Sequence, residues 1–414
     1  MDMHWQRVKR RLRGACLLLL AFLFASAAAA GPQPEASFIK TSGTMFTLEG
    51  KPFFVTGVNN HYLTFASPNE VTRVLDDAVA MGANVVRVIL GPVIGSRDGT
   101  VPTIWDWRNS TADASNLGVN GAVLLYWDTE KNAMAINDGP KGVQKIDFLI
   151  AEAGKRHLRL IIAFLDFWDY TGGAQQMRAW YGSTDKSTFF FADPRTKRDY
   201  KTWVAHVIRR VNPLTGLAYR NDPTIMAWEL MNEGNASPES LRLDWTAEMS
   251  AYVKSLDSNH LVGSGNANAI GEPRVADLTI PTLDFGTWHG YPLYFGLTVR
   301  QFDNTIADYC QIASRVQKPV LLEEFGYARS NPDSAEAYAG WLDTLARDPD
   351  CSGWLVWRLV SLQDHGHYPA DEHDQFDVHN DASPIWTALK AAAANAAQIR
   401  KSGRASVRTP RETP

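Results

Sequence analysis

The sequence predicts an α/β fold, a single (β/α)8 or TIM barrel, on three observations. Between residues 53 and 394, eight short apolar runs alternate with stretches of helical spacing. Two of these runs, residues 224–230 and 319–323, stop abruptly at acids, the place where barrels hold reactive side chains. No Gly-rich phosphate loop follows the first run: Asn59-Asn60-His61-Tyr62 stands there, which argues against a doubly wound open sheet.

Each element has its own signal. Residues 53–57 read as the first strand, and residues 69–81 as a helix, with Val71, Val74, Leu75, Ala78 and Met81 on one face. Residues 84–90 form a strand buried on both faces apart from Arg87. Residues 91–140 read as a long, turn-rich loop. Residues 142–155 are helical, with Val143, Ile146, Ile150 and Ala153 inward, and 158–164 make the third strand. A second loop, 165–181, carries Trp168, Trp180 and the Gly172-Gly173 pair. Asp193 caps a helix over 194–211 with Pro194 in its first turn. The fourth strand is 224–230, and the next helix falls within 237–256. Short strands follow at 261–264 and 283–289, then a helix at 299–316, a strand at 319–323 and a helix at 334–346. Residues 354–357 are the last strand, and a helix over 384–394 closes the fold. No repeat of solenoid period appears.

Residues 1–30 read as a signal peptide: a basic start (Arg7, Lys9, Arg10, Arg11, Arg13), an apolar stretch from Leu17 to Phe24, and small residues from Ser26 to Ala30. The apolar stretch is too short to span a bilayer, so the mature protein is expected to be secreted or periplasmic and free of the membrane. Residues 31–395 are then the catalytic domain, and residues 396–414 a basic, disordered tail. Without the leader's five basic groups and Asp2, the 41 basic and 45 acidic residues become 36 and 44, a net of −8. Nothing in that balance points to nucleic acid or an anionic membrane as a partner; none is expected, and a neutral substrate fits it better. Fourteen Trp, 13 Tyr and 18 Phe are a high aromatic load; a large core takes most of them, and a minority of the Trp is expected to line a groove. Cys310 and Cys351 are the cysteines outside the leader; they can pair, or remain two buried thiols. Nothing in the Cys and His spacing suggests zinc, and no metal or cofactor is expected.

Breaking a glycosidic bond takes two carboxyls, one to protonate the leaving oxygen and one to attack or to activate water. Glu233 suits the acid, because the buried strand that carries Trp228 leads into it and desolvation would raise its pKa. Asn232 beside it can bind the hydroxyl next to the reacting carbon. Glu324 suits the nucleophile, with Arg87 at another strand end to keep it ionised. Asp284, Trp288, His289 and Tyr291 gather at a further strand end, where the Tyr291 hydroxyl can reach the nucleophile. Trp357 ends the last strand and can form a platform under the sugar.

These residues resemble glycoside hydrolase family 5, most closely its endo-β-1,4-mannanase branch, over nearly the whole chain after the leader. Gly57-Val58-Asn59-Asn60-His61-Tyr62-Leu63 and Val85-Val86-Arg87 are similar to the family's first- and second-strand motifs. Phe167-Trp168-Asp169-Tyr170-Thr171-Gly172-Gly173, followed by Gln176 and Trp180, resembles the Asn-Asn-Trp…Gly-Gly loop of mannanases. Arg210-Val211-Asn212, Thr215-Gly216 and Tyr219 through Glu233 are similar to the approach to the acid/base. The most specific signal is Trp228-Glu229-Leu230 with Asn232-Glu233, and later Glu323-Glu324-Phe325-Gly326. The resemblance implies Glu233 as acid/base and Glu324 as nucleophile, with Arg87, Asn232, His289, Tyr291, Trp357 and Trp168 as substrate-binding residues. It also implies retention of configuration, with carboxyls about 5–5.5 Å apart. Three positions depart from the family. Gly234 follows the acid/base where Pro is usual, Asp166-Phe167 replaces an Asn pair, and Ile89-Leu90 stands where an aromatic is common.

The expected function is hydrolysis of β-1,4-mannosidic bonds in a mannan-type polysaccharide or oligosaccharide by a monomeric, secreted enzyme. An endo-β-1,4-glucanase, an exo-β-mannosidase and a non-catalytic carbohydrate-binding barrel are the alternatives.

Overall fold

The structure, a computed structural model, describes residues 37–104, 121–268, 276–369 and 374–401. The chain divides into two units, Met1–Ser37 and Phe38–Pro414, and the second contains every element named below. The proposed signal peptide and the end of the tail lie outside the described residues.

Eight parallel strands form one sheet: β1 (Val55–Asn59), β2 (Val85–Ile89), β3 (Arg159–Ala163), β4 (Ile225–Glu229), β5 (Leu261–Gly263), β6 (Gly286–Gly290), β7 (Val320–Phe325) and β8 (Gly353–Val356). Their order is β5-β4-β3-β2-β1-β8-β7-β6. The ends meet just before β6, where the Asp284 amide donates to the Val262 carbonyl of β5 at 2.9 Å and completes the barrel. Seven main helices pack outside: α1 (Pro68–Met81), α2 (Gln144–Lys155), α3 (Pro194–Arg209), α4 (Glu239–Leu256), α5 (Val299–Val316), α6 (Ser334–Arg347) and α7 (Pro384–Lys401). Among the described residues, β5 and β6 are joined by a single 3-10 turn, Ala276–Thr279.

Sequence alternation builds two cores. Val86, Val88, Leu160, Ile162, Trp228, Val262, Trp288, Leu322 and Trp354 face the helices and belong to the large outer core. Val55, Val85, Ile161, Ala227, Leu261, Phe285, Leu321 and Leu355 face inward and fill the barrel floor with Phe46 and Ile39. Phe46 comes from a three-stranded antiparallel sheet (Lys40–Ser42, Met45–Leu48, Lys51–Phe53) that plugs the floor, its ring edge-on to Phe285. Two residues further along their strands, the inward positions are Arg87, Glu229 and Glu323. The barrel interior thus turns from apolar to charged on its way to the carboxyl end.

Helix starts follow their caps. Ser67 and Glu70 form a capping box on α1, Thr298 and Gln301 do so on α5, and Asp193 caps α3. Two expectations are corrected. Residues 91–140 are not simply a loop: Val93–Ser96, Leu125–Asp128 and Ala133–Ile136 form a small mixed sheet above the barrel. The closing helix does not stop at Ala394; α7 runs to Lys401, and Ala396 is buried because it continues the helix's apolar face. Cys310 of α5 and Cys351, just before β8, are joined in a disulfide.

Candidate active site

Arg87 is the hub. It is fully buried on β2 and reaches three strands with one guanidinium. Its Nε donates to Glu229 Oε2 at 2.8 Å, Nη1 to Glu324 Oε1 at 2.6 Å and to Asn59 Oδ1 at 3.2 Å, and Nη2 to Asn232 Oδ1 at 2.9 Å. Glu323 Oε2 stands 3.4 Å from Nη2. The carboxyl groups of Glu229, Glu323 and Glu324 outweigh the effect of burial and hold Arg87 protonated far above its ordinary value.

The β4 end extends as an irregular arm, residues 230–233, pinned on both sides. Asn232 exchanges backbone hydrogen bonds with Leu165 and Phe167, and Leu230, Met231 and Glu233 donate to the carbonyls of Gly263, Ser264 and Gly265. Glu233 lies in the left-handed region at φ 51°, strain held at a reactive position. Its Oε2 accepts from the Trp168 indole at 2.6 Å and its Oε1 from His289 Nδ1 at 2.6 Å.

The β7 end presents two acids in a row. The β6–β7 register runs Trp288↔Leu322 and then His289↔Glu324, so Glu323 is an extra residue. That bulge lets neighbours that would alternate between faces both reach the barrel mouth. Tyr291 donates to Glu324 Oε2 at 2.6 Å. His289 Nε2 meets Glu323 Oε2 at 3.2 Å. Burial would keep His289 neutral, but the charge of Glu324 and the hydrogen bonds to Glu233 and Glu323 lift its pKa to about 10. Both ring nitrogens then donate at neutral pH.

One oxygen each from Glu233 and Glu324 and a nitrogen of His289 lie within 4.8 Å of one another. Among the described residues this trio is near enough to hold a cation, but a protonated His289 offers no lone pair. The residues open into a cavity of about 260 Å³, lined also by His61, Asp166, Trp168, Asn232, Tyr291 and Trp357. A wider groove on the outer face of α3 and α4 holds mostly paired charges, with Lys197 and Lys201 on Glu248 and Arg210 on Asp138 and Asp147. Its two lining acids, Asp138 and Glu248, are taken up in ion pairs, and the chemistry belongs to the smaller cavity.

The structure therefore brings Arg87, Asn232, Glu233, His289, Tyr291 and Glu324 into one hydrogen-bonded cluster, with Trp168 attached and Trp357 on the wall. It separates others. Asp284 precedes β6 at the opposite end of the barrel, bonded to Lys254 at 2.5 Å. Trp288 stacks on Tyr309 outside the strands, since strand alternation turns it away from His289. Trp228 does not desolvate Glu233; it faces the helices, stacked on Phe164 and bonded to Asp257.

The acidities also differ from expectation. Burial pushes Glu233 up, but the hydrogen bonds from His289 and Trp168 outweigh it and hold the carboxyl below its ordinary value. Glu324 is raised by burial despite His289 and Arg87. Asp166, where the family carries Asn, accepts from Asn232 Nδ2 and the Trp168 amide, and burial pushes it up to about 7.

Sequence reasoning missed Asn59 and gave no role to Glu229 and Glu323. Each signal was present as a polar residue at an inward strand position. Gln176 and Trp180 prove to be scaffold: Gln176 bonds Ile104 and Pro102, and Trp180 bonds the carbonyls of Ile94 and Gly95. Arg210, Asn212 and Tyr219 all bind Asp147 of α2, which fixes the approach to β4.

Residues 140–349 match the family model described as GH family 5 beta-mannosidase-like. The chain is 28% identical over 370 residues to mannan endo-1,4-beta-mannosidase A of Podospora anserina, covering 85% of this chain and 87% of that protein. It is 30% identical over 391 residues to putative mannan endo-1,4-beta-mannosidase 9 of Oryza sativa subsp. japonica, covering 83% and 87%. Among solved structures, the endo-1,4-beta-mannanase from Rhizomucor miehei superimposes with a TM-score of 0.74 at 29% identity, over 87% of this chain and 100% of that one. A TIM barrel with a double-carboxyl cleft and these relatives, the chain belongs to glycoside hydrolase family 5, on its β-mannosidase-like branch.

Proposed function

We propose that the protein is an exported endo-β-1,4-mannanase that cleaves with retention of configuration. The observation that carries the reading is that Glu233 and Glu324 line one cavity, with an oxygen of each within 4.8 Å of the other. Retaining enzymes keep their carboxyls about 5–5.5 Å apart, whereas inverting ones leave about 6.5–9.5 Å for a water. The names of the relatives supply the substrate class, mannan. A disulfide and a leader-like start both suit export.

In the first step Glu324 attacks the anomeric carbon. The bond to the leaving oxygen breaks, and Glu233 gives that oxygen its proton. In the second, Glu233 takes a proton from water, the hydroxide oxygen bonds the anomeric carbon, and Glu324 leaves. Tyr291 and Arg87 hold one Glu324 oxygen each, which fixes the attacking carboxylate. Asn232, its carbonyl tied to Arg87 and its amide to Asp166, offers its remaining N–H to the hydroxyl beside the reacting carbon. Glu233 must gain a proton to act. In the empty cleft Trp168 and His289 stabilise its charge; substrate taking the place of the Trp168 indole N–H removes one of those donors and raises its pKa.

Digestion of mannohexaose, followed by proton NMR, tests the reading. A mixture of shorter oligomers whose new reducing ends appear first as the β-anomer is expected. Release of mannose alone would make the enzyme exo-acting, and α-anomer first would end the retaining mechanism. Turnover of carboxymethylcellulose without mannan would overturn the substrate.

A further inference from the structure

Glu229 ends β4 and Glu323 lies inside β7, yet the cleavage steps use neither. We propose that Glu229 carries a permanent proton and donates it to Glu323, and that this buried acid pair positions Arg87 and His289 beneath the reacting groups. The inference rests on the mechanism above for the roles of Glu233 and Glu324.

Both side chains are fully buried at inward positions of their strands. The second oxygen of each is committed: Glu229 Oε2 to Arg87 Nε at 2.8 Å, and Glu323 Oε2 to His289 Nε2 at 3.2 Å. The first oxygen of each, Oε1, meets no donor from any other residue, although the two carboxyls are within hydrogen-bonding reach of one another. Two carboxylates are acceptors only and cannot bond; one proton between the two groups turns their contact into a hydrogen bond. Glu323 faces two cations, Arg87 and His289, and Glu229 faces one, so the negative charge stays on Glu323 and the proton on Glu229. Burial raises Glu229 well above its ordinary value, and Arg87, Glu229 and His289 pull Glu323 down to about 2 against its own burial.

Charge balance gives the same answer. Two cations, Arg87 and His289, are met directly by four carboxyls, Glu229, Glu233, Glu323 and Glu324. A proton on Glu229 and one on Glu233 make the set neutral in the form ready to react. An ionised Glu229 would leave an uncompensated negative charge in the barrel interior, beside the nucleophile. Gly265 gives Glu229 room, since a Cβ there would lie 3.3 Å from Oε2 and 2.4 Å from the Met231 carbonyl. With its proton fixed, Glu229 leaves Glu233 as the carboxyl of β4 that trades protons during turnover.

Infrared difference spectroscopy at neutral pH reads the proton directly. Wild type minus Glu229→Gln is expected to show a protonated-carboxyl C=O band, and Glu323→Gln to lose the same band, because its amide donates to Glu229 and leaves it ionised. Glu229→Gln keeps an N–H donor toward Glu323 and an acceptor toward Arg87, so kcat/KM on mannohexaose should stay within about threefold of wild type. Glu229→Ala should lose about a hundredfold or more. A difference spectrum without the band, or a Glu229→Gln enzyme as inactive as Glu229→Ala, overturns the proposal. The band is independent of turnover: its presence in an enzyme whose Glu324→Ala variant still hydrolyses mannan would overturn the nucleophile assignment and leave the buried proton standing.

Discussion

The ends of β4 and β7 carry the same cargo, two glutamates each, and deliver it differently. On β4 the buried acid, Glu229, sits in register with β3 and β5, and Glu233 is reached four residues later through a left-handed backbone. On β7 the acids are neighbours, and a bulge against β6 turns both toward the mouth. The β7 pair is rigid: Arg87, Tyr291 and His289 grip it, and the Cys310–Cys351 disulfide encloses the strand and α6 in a closed loop. The β4 acid ends an arm pinned through its backbone, but one of its side chain's two partners, Trp168, is partly exposed. A nucleophile needs a fixed line of attack, whereas an acid/base must change protonation twice per turnover. The two strand ends match those needs.

The largest test of that division is Glu324→Ala. It should cost roughly four orders of magnitude or more in kcat on every substrate, because the covalent step is gone. Glu233→Ala should cost about 10²–10⁴-fold on mannan. On dinitrophenyl β-mannoside, whose leaving group needs no proton, it should still form the glycosyl-enzyme rapidly. Equal losses on both substrates would erase the division of labour. Removing the disulfide with Cys310→Ala and Cys351→Ala gives up the entropic gain from a span of 41 residues, worth about 4 kcal/mol. The denaturation midpoint should fall, and amide exchange should accelerate in β7 and α6 before β4. Trp168→Phe deletes one donor to the Glu233 carboxylate, so the Glu233 pKa rises and the basic limb of kcat/KM moves to higher pH, while the KM–kcat split reports any lost stacking.

The smallest effect is on stability. His289 has a raised pKa in the folded state, so its contribution is full below about 6.5 and lost as pH climbs through about 10. Urea midpoints from pH 6 to 10 should decline more in the wild type than in His289→Gln.

The barrel was legible because parallel strands buried on both faces appear as unbroken apolar runs, and every one of the eight falls within or beside the span read for it. The small sheet above it was not, since strands of four residues among turn residues leave little period to read; Leu125 and Trp127 against Tyr126 and Asp128 was the faint trace. Glu233 and Glu324 stood out as strand-end acids. The acidities did not, because His289 and Trp168 arrive from β6 and the loop after β3, and no local pattern records that meeting. The bulge that admits Glu323 is likewise a matter of register between two strands. Asp284 was misplaced by counting it at the end of a strand it precedes.

The loop that carries Trp168 is locked to its neighbour. Val93 donates to the Thr171 carbonyl, and Gly172, at φ 88°, passes so near the Val93 carbonyl that a Cβ would stand 1.8 Å from it. A change in the span before or after Val93 would shift Gly172, then Trp168, then the proton affinity of Glu233. On the mechanism proposed above, selection on loop length for a new polysaccharide would move the pH optimum together with substrate fit.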